Sequence, residues 1–321
     1  MNVSRAGVIA IGSNSTRMLT ADLDASLSNP VRGREETALF LSMDERKRFS
    51  EAGMERCARA VSKLHYEARQ AGAQQVRLIA TSAVRDAANR HELDFYLAAI
   101  APMMLTRIIS GEEEAQLSFM GATCIPRREG PQGMIDIGGG STEVALGDAE
   151  NGLSFARSLQ LGASRLLKQQ AVNSPEDLAR ARAAAFNVIG QFLPPLPLRP
   201  DEWALVGGTG TTIVNMILKQ PWDKPCPEER YVARAEADEW LERLCRMEAE
   251  DRARLPGLPP ARVHILPTGL TILSCLMERL DIGRVRVTRR NNLNGYLYRL
   301  FCCPQEDPDA SRTRRRQLRQ L

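Results

Sequence analysis

The residues best placed to do chemistry are Asp136 and Glu143, which flank Gly138-Gly139-Gly140-Ser141. Apolar, β-leaning runs lie on either side, Met134 to Ile137 before the glycines and Thr142 to Leu146 after them. Glycines leave main-chain N–H groups bare, so an anion can approach without meeting a side chain. Carboxylates beside such a nest repel phosphate unless a divalent cation lies between them. The local chemistry is that of a phosphate–metal loop. The pattern recurs 126 residues earlier, where Ile9 to Arg17 aligns without gaps on Ile135 to Glu143 and five of nine positions are identical. Gly12, Ser13, Asn14 and Ser15 then match Gly138 to Ser141 as phosphate-binding candidates. A third glycine-rich stretch, Gly207-Gly208-Thr209-Gly210-Thr211-Thr212, follows a short apolar run and enters a helix. Its backbone, with Gly207, Gly210 and Thr211, would add a contact at a helix N-terminus.

These loops need rigid elements behind them. Each of the first two reads as a strand–turn–strand hairpin with a bare tip. Residues 24–50 read as polar and irregular. A helix fits 50–71, with Met54, Cys57, Ala58, Val61, Leu64 and Ala68 on one face. Strands fit 76–80 and 104–109. Between them a helix reaches residue 100; Ser110-Gly111 ends the second strand, and Glu112-Glu113-Glu114 opens another helix, its acids suited to the helix dipole. The second lobe repeats the alternation, with strands near 153–159, 204–206 and 284–288 and helices starting at 162, 174 and 264. A last helix spans 292–301. Strands alternating with helices indicate an α/β fold. The duplication indicates two lobes, residues 1–122 and 123–301, gripping a phosphate between them. Residues 302–321 form a basic tail holding five arginines between Arg312 and Arg319. It is read as mobile, or as packing back on the N-terminal lobe.

Composition narrows the function. The chain has 321 residues, 43% apolar and 26% charged, as in ordinary globular proteins, with net charge +4. That bias does not indicate nucleic acid. No apolar run approaches the roughly 20 residues of a membrane helix. The three histidines are far apart in sequence, which argues against a zinc site. Seven scattered cysteines without C-x-x-C spacing read as reduced thiols of a cytoplasmic protein.

Several motifs, in order, resemble one family. They are Ile11 to Ser15; Ala80-Thr81-Ser82-Ala83-Val84-Arg85-Asp86-Ala87-Ala88-Asn89; Ile109 to Ala115; Asp136 to Glu143; Leu161-Gly162-Ala163-Ser164-Arg165-Leu166; and Gly207 to Thr211, with a weaker match over Arg262 to Gly269. The set resembles the exopolyphosphatase/guanosine-pentaphosphate phosphohydrolases of the actin–sugar kinase–Hsp70 superfamily. The resemblance implies two ribonuclease-H-like (actin-like ATPase) lobes around an interdomain cleft. It implies Mg²⁺-dependent release of terminal phosphate from polyphosphate or guanosine pentaphosphate, with no membrane or specific nucleic acid as partner. A homodimer is compatible with it. Glu114 corresponds to the general base, Asp136 and Glu143 to the metal and catalytic-water acids, and Arg85 to a phosphate-binding arginine. Arg165 reads as an ion pair between lobes.

Four departures from the family pattern stand out. Ala10 replaces an acid, and Leu39-Phe40-Leu41 stands where a basic, glycine-rich segment is usual. Gln116 replaces an arginine, and Leu293-Asn294-Gly295 replaces Arg-Glu-Gly. They leave two expectations. One is an active phosphohydrolase working through Glu114, Asp136 and Glu143, with reduced activity because of Ala10. The other is a catalytically weak sensor or scaffold that binds polyphosphate or a guanosine tetra- or pentaphosphate. An ATP-dependent kinase or chaperone of the same superfamily fits the motifs less well.

Overall fold

The computed structural model describes residues 3–100, 106–148 and 151–303. The expectation for the arginine tail, apart from its first two residues, and part of the strand expected over 104–109 lie outside the described residues. Two sheets carry the fold. The first is built from β1 (Arg5–Ile11), β2 (Ser15–Asp22), β3 (Val31–Glu36), β4 (Gln75–Ala80) and β5 (Thr106–Ile108), in the order β3-β2-β1-β4-β5. The residues 24–50 are therefore not irregular throughout. β3 pairs antiparallel with β2 from Val31–Thr20 to Glu36–Ser15. Its alternating charges, Arg-Gly-Arg-Glu-Glu, hid it, and they suit an exposed edge strand.

Helices α1 (Glu51–Gln70), α2 (Ser82–Asp86) and α3 (Arg90–Ile100) cover one face of this sheet or lead from its strands. Ser50 caps α1 by accepting a hydrogen bond from Gly53 N–H. The expected apolar stripe from Met54 to Ala68 is buried against Ile9, Ile11 and Leu78.

The second sheet repeats the plan. Its strands are β6 (Gln132–Ile137), β7 (Thr142–Asp148), β8 (Gly152–Leu159), β9 (Glu202–Val206), β10 (Glu229–Ala233) and β11 (Arg284–Thr288). The order β8-β7-β6-β9-β11 matches β3-β2-β1-β4-β5 strand for strand, and β10 extends the edge. Each sheet begins with a hairpin meander and continues with parallel strands, the connections that need helical crossovers. The helices are α4 (Gly111–Thr123), α5 (Ala163–Gln169), α6 (Pro175–Phe192), α7 (Gly208–Ile217), α8 (Arg234–Cys245), α9 (Ala249–Arg252), α10 (Ile265–Arg279) and α11 (Asn292–Cys302).

Helices α4 and α11 cross the sequence division at 122/123. Ala115, Phe119 and Ala122 of α4 pack on Met134, Ala145, Ala204 and Val206 of the second sheet. Leu293, Tyr296, Leu297 and Leu300 of α11 pack on Ala6, Val8, Ala10 and Leu19 of the first, together with Leu117 of α4. The half-buried pair Arg299–Glu113, at 2.9 Å, also joins the two helices. Burying one large apolar side chain contributes about 1.5–3 kcal/mol, and an exposed or half-exposed ion pair at most about 1 kcal/mol. Apolar packing therefore holds the crossover. Among the described residues, no helix is long and apolar enough to cross a membrane, and all seven cysteines are free.

Candidate active site

The two hairpin tips meet across the cleft between the sheets. A β-carbon on Gly139 would lie 2.9 Å from Ser13 Cβ and 3.4 Å from Asn14 N. The two related turns therefore face each other with no room for a side chain between them.

Each turn presents its peptides the same way. Gly12 N–H donates to Ser15 O at 3.2 Å, and Gly138 N–H to Ser141 O at 3.0 Å. These first N–H groups close the turns and are not available to an anion. In the second turn, the Gly138 carbonyl accepts from Ala163 N–H, and the Gly139 carbonyl from Ser164 and Arg165 N–H, at the start of α5. The Gly140 carbonyl accepts from Arg165 Nε at 2.6 Å. In the first turn, the Ser13 carbonyl accepts from Phe40 N–H, and the Asn14 carbonyl from Thr37 and Ala38 N–H. A trans peptide points its N–H opposite its carbonyl. With the carbonyls held from behind, the N–H groups of Asn14, Ser15, Gly139, Gly140 and Ser141 face the cleft. Oriented N–H groups of this kind bind anions.

Gly207 forms a third wall of the cleft. It has φ +97°, and a β-carbon there would stand 2.8 Å from Ile137 O and 3.0 Å from Asp136 Oδ1. Only glycine fits both requirements. Gly208 opens α7 beneath it, so the helix N-terminus points at the cleft.

The cavity measures about 70 Å³, room for several waters and therefore for a phosphoryl group. Its lining includes Gly12 to Ser15, Gly138 to Ser141, Gly207, Glu114 and Asp136. Gly210 and Thr211 are not among the lining. Gly210 lies close against Leu205 and Val287, and Thr211 Oγ1 turns back to the Gly207 and Gly208 carbonyls. Glu143 and Arg85 stand just behind the wall. The Arg85 Nη1 donates to Glu114 Oε2 at 3.3 Å and to Ile109 O at 2.9 Å, while its Nη2 is buried without a partner.

Three acids share this space. Glu114 sits in the first turn of α4, which Ser110 caps by accepting from Glu113 N–H. Burial pushes its carboxyl up to about 7, with Arg85 opposing and Asp136 adding to the rise. Asp136 and Glu143 are direct partners in the β6–β7 ladder. Like charges so placed repel. Burial raises both, Glu143 well above the usual carboxylate range, with further repulsion from Glu114 and Asp136. Ser118 Oγ donates to Asp136 Oδ2 at 2.6 Å, and Ser158 Oγ to Glu143 Oε1 at 2.7 Å. A hard divalent cation held by one or two of these carboxylates would relieve their repulsion. Mg²⁺ binds through one or two carboxylates while keeping several waters. Among the described residues, no group of three His, Cys, Asp or Glu side chains forms a ready cage.

Sequence reasoning missed the arginines. Arg17, Arg34 and Arg262 all line the cavity. Burial lowers Arg262 to about 9, with Arg34 and Arg17 repelling it. Its guanidinium lies over Gly208, where a β-carbon would overlap it. Burial also lowers Arg17, although Asp136 opposes this. Arg17 is the ladder partner of Ala10, as Glu143 is of Asp136. Its alignment with Glu143 was the available signal. Arg262 lay at the start of the weakest motif, and Arg34 in a segment read as loop. Ser82 Oγ, also in the lining, is buried without a partner. Arg34 pairs with Glu36 at 2.6 Å and Arg17 donates to Asn292, so the three cations are held close together on the cleft by neighbouring side chains and burial.

Duplicated actin-like lobes with facing phosphate turns, buried acids and converging arginines define a phosphate-handling protein of the ribonuclease-H-like type. The sequence profile of the Ppx/GppA phosphatase family matches residues 25–301. The chain belongs to that family. Exopolyphosphatase 2 of Mycobacterium tuberculosis (strain ATCC 25618 / H37Rv) is 30% identical over 315 residues, covering 92% of this chain and 98% of its own. The fold is similar to that of an exopolyphosphatase-like protein (TM-score 0.85, 23% identity, 93% of this chain and 98% of that one). It is also similar to that of an exopolyphosphatase from Cytophaga hutchinsonii ATCC 33406 (TM-score 0.81, 20% identity, 93% and 98%).

Proposed function

We propose that this chain is a Mg²⁺-dependent hydrolase of phosphoanhydrides that removes the terminal phosphate of inorganic polyphosphate. One observation carries the reading. Two sets of main-chain N–H groups, from two lobes, face a cavity of phosphoryl size that also holds Glu114 and three arginines. Glycines, arginines and small polar residues dominate that lining, and among the described residues no aromatic ring occurs in it, which favours a bare phosphate chain over a base stacked at the site. The name of the mycobacterial relative points the same way.

The terminal phosphoryl group would rest on the N–H groups of both turns and of α7, with Arg262, Arg17 and Arg34 binding the phosphates next to it. Glu114 would orient a water in line and accept its proton as the water oxygen bonds to phosphorus. The bridging P–O bond breaks as this bond forms. The products are orthophosphate and a chain one unit shorter. Arg85 would hold the Glu114 carboxylate in place and favour its ionised form. Asp136 and Glu143 would hold Mg²⁺, which when bound offsets charge on the phosphate oxygens. A cytoplasmic location fits the free thiols.

The test is phosphate release with Mg²⁺ from polyphosphate, guanosine pentaphosphate and ATP. Release from polyphosphate that is abolished in Glu114→Gln supports the reading. Tight binding without release from any of the three sinks it. That result would favour the sensor reading, which Ala10 motivates because it leaves Arg17 without an acid across the ladder.

A further inference from the structure

One guanidinium joins the two lobes to the phosphate turn. Arg165, on α5 of the second lobe, donates from Nε to Gly140 O at 2.6 Å. Its Nη2 meets the carboxylate of Asp86, at the end of α2 in the first lobe. The guanidinium carbon lies 4.9 Å from the centre of the Phe40 ring, also in the first lobe. The Arg165 and Asp86 side chains are only 18% and 16% exposed.

The Gly140 contact differs from its neighbours. The Gly138 and Gly139 carbonyls are held by main-chain N–H groups of α5, within one lobe. Gly140 O is held by a side chain whose other contacts lie on the opposite lobe. The direction of that carbonyl sets the direction of Ser141 N–H. Phe40 is also the residue whose N–H holds Ser13 O behind the first turn. The same pair of residues thus supports both turns. Lys168, three residues on, donates to Met43 O at 2.5 Å and stands 5.5 Å from the Phe40 ring, which reinforces the seam.

We propose that Arg165 is a positioning residue that couples lobe closure to completion of the anion cradle. The inference rests on the reading of the cleft as a phosphate site. With the lobes together, Asp86 and Phe40 fix the guanidinium, and the guanidinium aims Ser141 N–H at the phosphoryl group. With the lobes apart, the 140–141 peptide loses that restraint and the cradle is incomplete. Arg165 acts through the peptide and does not line the cavity.

The experiment compares wild type, Asp86→Asn, Arg165→Gln and the double variant as full chains. Calorimetry measures inorganic phosphate binding, and steady-state kinetics with polyphosphate give KM and kcat. Arg165→Gln is expected to weaken phosphate binding about tenfold and to raise KM by a similar factor, the size of one charge-assisted hydrogen bond. Asp86→Asn should give a smaller loss in the same direction. The double variant should match Arg165→Gln alone, because Asp86 acts only through Arg165. Unchanged phosphate affinity with a lower melting temperature would reduce Arg165 to an ordinary ion pair and overturn the proposal. Losses that multiply would overturn it too. Arg165→Lys, which keeps the charge but loses the planar fork, repeats the comparison where Gln folds poorly. A wild-type chain that binds phosphate but releases none ends the hydrolase reading and leaves this inference to stand or fall on affinity. A wild-type chain that binds no phosphate ends both.

Discussion

Ser13 and Gly140 lie in contact across the cleft, so that a β-carbon on Gly140 would stand 2.6 Å from the Ser13 hydroxyl. The same β-carbon would stand 2.6 Å from Ser82 Oγ. Both hydroxyls can rotate aside, but Ser82 Cβ at 3.1 Å still crowds a side chain at residue 140. Gly140→Ala should therefore hold the lobes slightly apart. A misplacement on the order of 1 Å costs roughly a hundredfold in rate. Phosphate release at limiting substrate should fall by about that factor, with the melting temperature close to wild type. Full activity in Gly140→Ala would mean that the observed closure is not the working state.

Glu114 makes the pH dependence predictable. Its carboxyl is raised to about 7 by burial, and in the proposed role of base it must be ionised to accept a proton. Release at limiting substrate should fall as pH drops through about 7. Stability runs the other way. A group whose folded value is raised binds more protons folded than unfolded, so its stabilising contribution is present at low pH and fades as pH rises through that value. The phosphate-free chain should lose melting temperature between about pH 5 and 7. Glu114→Gln should flatten that slope while lowering turnover by roughly 10²–10⁴. A slope unchanged in the variant would show that Glu114 does not titrate there.

Arg262 is a buried cation repelled by two others until an anion arrives. Arg262→Gln removes a charge-assisted contact, worth about 1.5–3 kcal/mol. KM for polyphosphate should rise tenfold to a hundredfold. The phosphate-free variant should be no less stable than wild type, because mutual repulsion is relieved. Calorimetry with a short polyphosphate and thermal melting check the two halves separately. A variant with unaltered polyphosphate affinity would remove Arg262 from the site.

Ser118 tests the proposed metal. Its hydroxyl occupies Asp136 Oδ2 and opposes the rise caused by burial. Partners that orient a ligand typically matter 10–100-fold in metal affinity. Ser118→Ala should raise the Mg²⁺ concentration needed for half-maximal release by about that range, with kcat at saturating Mg²⁺ little changed. Equal Mg²⁺ dependence in both proteins would take Asp136 out of the metal's coordination.

The hairpins, the helix caps and the acid-rich start of α4 were legible because each is local. Ser174 caps α6 by accepting from Asp177 N–H three positions on, and Asp136 faces Glu143 across a short turn. Strand β3 was missed because its charges mask the alternation of an edge. Helices α4 and α11 read as members of the lobes their sequence positions suggest. Their apolar faces do not specify which sheet they cover, and only the fold assigns them crosswise.

By itself the sequence determined the two glycine-rich turns, the duplication and the identity of the acids, because backbone freedom and ladder pairing act over a few residues. The tertiary structure decided that the turns meet, that Gly210 and Thr211 point away from the cleft and that Arg17, Arg34 and Arg262 converge on it. Convergence of charges from distant strands depends on how two lobes pack, and no spacing along the chain encodes that distance.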